Sequence, residues 1–199
     1  MNSPATPTRS VLIGNFILFQ LGWFACVLTG AGQLPVWSGL FALLVLAVHL
    51  KLARQWRPEL QLLLIALLVG SVFESLLLHF GLTAYTHGQW AATSQLQPAP
   101  YWMLLLWPLF ATTLNVSLRW LRDLPLFWSA LGSALLAPLS YSAGQQLGAI
   151  QFSQPSVALA AIALGWTVLM PLLVWLARRQ DGFRPPQATP TRHWRTADV

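Results

Sequence analysis

Six apolar stretches, each long enough to cross a lipid bilayer and nearly free of charge, constrain this chain more than any other feature. They run about 11–29, 34–50, 60–82, 101–121, 124–150 and 156–177. A bilayer's hydrocarbon core asks for about 17–25 apolar residues per helix. Inside it every backbone N–H and C=O must be paired within the protein, so runs of this length read as helices. Only 8% of the 199 residues are charged, against about 25% in soluble domains, which leaves too little polar surface to face water. The expectation is an all-α polytopic integral membrane protein, a six-helix transmembrane bundle over 11–178. It is flanked by a short N-terminus (1–10) and a disordered basic tail (179–199).

The placement of lysine and arginine orients the bundle. Arg9 precedes the first run, and Lys51, Arg54 and Arg57 separate the second from the third. Arg119 and Arg122 sit between the fourth and fifth, and the remaining five arginines follow the sixth. The alternate connections, about 30–33, 83–100 and 151–155, hold no basic residue. The positive-inside rule then predicts that both termini are cytoplasmic, in a bacterial inner membrane. A competing reading takes the first run and the small residues at 29–32 as a cleavable signal peptide, leaving five helices. The run is longer than a usual signal core and carries Asn15 and Gln20, so an uncleaved helix is expected.

The net charge of +6 does not imply nucleic acid, because the basic residues flank apolar runs instead of forming a face. Cys26 is the only cysteine, which excludes an internal disulfide. No phosphate loop, dinucleotide fingerprint, metal-ligand spacing or nucleophile-elbow context is present, so neither a metal nor a cofactor is expected. Trp37, Trp102, Trp120, Trp128 and Trp175 fall near predicted helix ends, whereas Trp23, Trp107 and Trp166 lie deeper, between helices or along a cavity. The spacings Gly144/Gly148 and Ala161/Gly165 suit close helix contact.

Glu74 is the most informative residue. It lies well inside the third run, where a charge costs about 2.5–3.5 kcal/mol on insertion scales, so it should face the bundle or a water-filled space. A proton-handling or ligand-anchoring role competes with a neutral acid that simply bonds a neighbouring helix. Ser71, Ser75 and His79 share its helical face, and His79 is a candidate proton partner or an interfacial histidine. Pro138 should bend the fifth helix, with Tyr141, Ser142 and Gln145 on the same face and at depths matching Glu74. Glu74, His79 and Tyr141 are therefore the candidate catalytic set. Gln145, Ser142 and Trp107 are candidate substrate contacts. Asn15, Asn115 and Arg119 form a third group towards the cytoplasm that suits a headgroup phosphate or carboxylate, although arginines there often only reach for headgroups.

Several of these segments resemble a known family. Asn15–Phe16, Gln20–Leu21–Gly22–Trp23 and the Glu74 helix form its first part. Leu106–Trp107–Pro108, the stretch 114–118 and the stretch 138–144 complete it. Together they are similar to a family of small bacterial inner-membrane proteins known only as a domain of unknown function, over about residues 11–178. That resemblance implies a lipid-related role, because members sit beside genes for fatty-acid modification and envelope stress. The leading expectation is an enzyme or accessory subunit acting on membrane lipid or a fatty-acyl group, with membrane lipids as partners. A small proton-coupled transporter, which six helices would build as a homo-oligomer, and a scaffold for membrane protein partners are the alternatives.

Overall fold

The structure is a computed structural model, and it describes residues 8–89 and 98–184. Six α-helices make up most of it: α1 (Arg9–Gly30), α2 (Phe41–Leu52), α3 (Trp56–His79), α4 (Tyr101–Leu114), α5 (Leu126–Gln146) and α6 (Pro155–Arg179). Four of them, α1, α3, α5 and α6, are long and apolar enough to cross a membrane. They turn large apolar side chains outward, with Leu68, Leu139 and Leu164 each more than 60% exposed. Water would not tolerate that surface, whereas hydrocarbon would.

The two shorter helices depart from the expected runs. A 3₁₀ turn (Val36–Leu40) precedes α2, and α4 stops at Leu114, seven residues before the apolar run ends. At about 21 Å, α4 alone falls short of a hydrocarbon core of about 30 Å. Its position explains why this is tolerated. It packs against α1, α2, α3 and α6, and nine of its fourteen residues are buried. The chain beyond it is irregular but satisfied by protein. Leu118 N–H donates to Thr113 O, and Ser117 N–H donates to the Asn15 side chain.

The fold is not purely helical. Strand β1 (Thr83–Tyr85) pairs antiparallel with β2 (Ile150–Phe152), setting Tyr85 opposite Ile150. Both strands were expected to be plain connections or helix end. α5 stops at Gln146 because Gly148, at φ 88°, reverses the chain into β2. Gly148 therefore ends a helix and is not half of a helix-packing pair. The little sheet caps the ends of α3 and α5 that lie together, and Gln33, just past α1, donates to Leu147 O at the same end.

The basic residues gather at the other end, which is also more ordered than the sequence suggests. Residues 180–184, assigned to the tail on sequence grounds, are packed against it. Gln55 N–H donates to Gly182 O, and Asn115 Nδ2 donates to Gln180 O. A Cβ on Gly182 would lie 2.1 Å from Gln55 O, so only glycine allows this approach. Residues 185–199 of the expected disordered tail lie outside the described residues.

Helix packing is uneven. α5 lies along α6 and makes next to no contact with α1 or α4. The gap between α5 and the α1–α4 pair forms a large concavity.

Candidate functional site

Glu74 lies on α3, fully buried, one turn beyond Gly70. Gly70 has no Cβ because the Trp107 ring of α4 lies across it, and an added Cβ would sit 2.0 Å from Trp107 Cγ. That close approach brings the indole N–H to Glu74 Oε1 at 3.1 Å. The Tyr141 hydroxyl, from α5, donates to the same oxygen. The Tyr85 hydroxyl, from β1, donates to Oε2 at 2.9 Å. Three neutral donors from three different elements thus converge on one carboxyl group. Burial, and then the nearby Glu74 carboxylate, hold the Tyr85 hydroxyl well above its ordinary value. Tyr85 is therefore a donor throughout the physiological pH range.

Beside this group lies a cavity of about 90 Å³. Half of its lining residues are aromatic, namely Phe19, Trp23, Trp102, Trp107, Phe110, Tyr141 and Trp166, and Glu74 is the one carboxyl group among the described residues that line it. Trp107 and Trp166 stack with ring centroids 5.1 Å apart and 19° between planes. Phe110 meets Trp166 edge-on. The Trp166 indole N–H is buried beside the Tyr141 hydroxyl but completes no hydrogen bond there. Ile150 of β2 closes the end of the cavity beneath the sheet.

The cavity adjoins the gap left by α5. That cleft has a volume of about 610 Å³ and shares Phe19, Phe110, Ser140, Tyr141 and Trp166 with the smaller space. Its far rim is formed by Leu121, Leu124, Trp120 and Trp128, the last two more than half exposed. Ser129 and Ser133 lie along the cleft, but both hydroxyls donate to backbone carbonyls. The cleft is therefore apolar, and it shares part of its wall with the cavity that holds the Glu74 carboxyl.

The structure brings together Glu74, Tyr141 and Trp107 from the candidates read in the sequence. His79 is apart: it is exposed, and its ring lies against Phe80. Ser142 and Gln145 are half-buried on α5 but do not line the cavity, where Ser140, Tyr141 and Gly144 stand instead. A helical face is narrower than the arc that grouped them. Trp102, expected at an interface, is fully buried under the sheet and donates to His87 O at 2.9 Å.

The third candidate group also separates. Asn15 does not meet Asn115; its side chain bonds Ser117 and Thr112 O and closes the end of α4. Asn115 belongs to a second buried cluster that sequence reading missed. Glu59, fully buried, has Oε2 at 2.8 Å from His49 Nε2, and Oε1 accepts from Asn115 Nδ2 and Gly182 N–H, both at 2.7 Å. Arg122 joins Asn115 Oδ1 at 2.8 Å to the Asp181 carboxylate at 3.0 Å, with Arg119 at 3.4 Å from that carboxylate. Glu59 carries no local sign of burial, because it stands among Arg54, Arg57 and Pro58. Tyr85 was missed because three-residue strands carry little pattern. The available signal was Thr83/Tyr85 and Ile150/Phe152 alternating between Gly81, Gly88 and Gly148.

Four apolar helices of spanning length, turning large apolar side chains outward, give the chain the character of a membrane protein. Its family follows from sequence comparison. The family described as "Protein of unknown function (DUF2878)" matches residues 12–172, and the chain belongs to that family. No curated protein and no solved structure matches it.

Proposed function

We propose that this protein takes a hydrocarbon chain of a membrane lipid into the cleft beside α5 and presents it to Glu74. The observation that carries this reading is that the open apolar cleft and the cavity at the Glu74 carboxyl share five lining residues, Phe19, Phe110, Ser140, Tyr141 and Trp166. From Trp128 to Tyr141 the wall rises about 20 Å along α5, more than the roughly 15 Å of one leaflet's hydrocarbon. A chain entering from headgroup level at the Trp120–Trp128 rim would thus reach Glu74 beyond the midplane. Among the described residues, no charged side chain lines the cleft itself.

In this reading all six helices lie in the bacterial cytoplasmic membrane, with both termini and every basic residue on the cytoplasmic side. The burial of α4 supports its inclusion despite its length, as does the gathering of Arg119, Arg122 and Arg184 around Asp181 at one end. Lipid would enter from the cytoplasmic leaflet, past Trp120 and Trp128.

Native mass spectrometry of the protein released gently from membranes tests the binding. Gly132 lines the cleft with open space around its Cβ direction, so Gly132→Phe should fill the cleft without disturbing the fold. Wild type should retain a lipid that Gly132→Phe loses. Equal retention by both would refute the reading.

A further inference from the structure

We propose that Glu74 acts as a Brønsted acid towards a carbon–carbon double bond of the lipid chain, making the site an intramembrane alkene isomerase. This rests on the lipid-binding reading above and assigns the chemistry of that same cavity. Four features of the site lead there.

The first is what surrounds the acid. Among the described residues the cavity offers no lysine, arginine or histidine, only the carboxyl, phenol and indole donors, one serine, the Met103 thioether and hydrocarbon. An anionic ligand would find no counter-charge, and a nucleophilic reaction would find no base-activated nucleophile. The second is the aromatic wall. The faces and edges of Trp107, Trp166, Phe110, Phe19 and Trp23 are suited to a positive charge that develops on carbon, through the ring quadrupole. The third is how the conjugate base is held. Once its proton leaves, the carboxylate keeps the hydrogen bonds from Tyr141, Trp107 and Tyr85, donors already in place before reaction. The fourth is dryness. Apolar lining keeps water from capturing a cation before it collapses.

The step balances without a co-reactant. The Glu74 O–H bond breaks as the alkene π pair forms a C–H bond at one carbon, leaving the cation on the other. A C–H bond next to the cation then breaks, and its electron pair becomes the new double bond. That proton returns to the Glu74 carboxylate, which restores the acid. Nothing is oxidised or reduced, and the chain leaves with its double bond moved. A trisubstituted alkene yields the more stable, tertiary cation, so an isoprenoid chain is the better substrate and an unsaturated acyl chain the poorer one.

The experiment places purified full-length protein in vesicles made in D₂O. One arm contains a polyisoprenyl alcohol and the other a dioleoyl phospholipid, and chain deuterium is read by mass spectrometry. Wild type should label a chain, faster in the isoprenoid arm. Labelling only in the oleoyl arm would keep the acid and assign the acyl source. Glu74→Gln should slow labelling at least about 100-fold, the usual contribution of a general acid, while retaining bound lipid. Trp166→Leu keeps the acid but removes a ring, and should slow labelling about tenfold through the lost cation–π contact. Lipid retained without deuterium in either arm would overturn the acid while leaving lipid binding intact. Absence of retained lipid would overturn both. Undiminished labelling in Glu74→Gln, or in Trp166→Leu should Glu74→Gln fail to fold, would assign the exchange elsewhere.

Discussion

Two glutamates on the same helix are both fully buried, and they are held in opposite ways. Glu59, in the first turn of α3, is closed on every side by groups that match it: His49, Asn115, the Gly182 N–H and, one step out, the Arg122–Asp181 pair. Glu74, near the other end, has only neutral phenol and indole donors and an aromatic cavity at its side. A buried carboxyl group with both oxygens bonded by matching partners has no side left open. A buried carboxyl whose partners are neutral, with space beside it, is free to exchange a proton with whatever fills that space. The first glutamate ties α2, α3, α4 and the segment after α6 together; the second faces the aromatic cavity.

The comparison can be broken at either end. The largest effect on stability is expected at Glu59. Glu59→Ala strands Asn115, His49 and the Gly182 N–H, which should cost about 3–5 kcal/mol, read as a loss of thermal stability in detergent. A stability near wild type would show that the cluster is not the staple described. Gly70→Ala comes next, because its methyl group overlaps the Trp107 ring. Overpacking of this kind costs about 1–3 kcal/mol and should shift the Trp107 fluorescence. An unchanged emission spectrum would mean that the ring does not depend on Gly70.

Glu74→Gln should be milder. Glutamine keeps a carbonyl acceptor for two of the three donors, and an interhelical hydrogen bond is worth about 0.6 kcal/mol. A loss of about 1 kcal/mol or less is expected, with lipid still bound. A collapse as large as that of Glu59→Ala would make the two acids alike and remove the distinction. The smallest effect belongs to His79→Gln. Its exposed ring touches Phe80 alone among the described aromatic contacts, so stability should stay within about 0.5 kcal/mol and lipid retention should not change.

The sequence makes the apolar helices and the depth of Glu74 legible because hydropathy and charge placement act over twenty residues at a time. Tyr141 was within reach for the same reason, since helical periodicity and depth set it level with Glu74, and Trp107 because its depth in an apolar run marked it as lining a cavity. Tyr85 was not, since its strand is three residues long and acquires meaning only when Ile150 pairs with it. The pairing of Asn15 with Ser117 was hidden because it depends on where α4 stops, and an apolar run does not disclose that Leu114 is its last helical residue. Gly182 and Asp181 were read as tail because their partners, Glu59, Gln55 and Arg122, are distant in sequence. Long-range polar closure leaves no local pattern.

The central claim is that Glu74 is reachable from the bilayer through the cleft and Glu59 is not. Dicyclohexylcarbodiimide, an apolar reagent that enters membranes and modifies protonated carboxyl groups, tests this in intact vesicles, with the adduct located by peptide mass spectrometry. The expected result is an adduct on Glu74, suppressed in Gly132→Phe, and none on Glu59. An adduct on Glu59 in place of Glu74, or labelling of Glu74 that Gly132→Phe leaves untouched, would contradict the account.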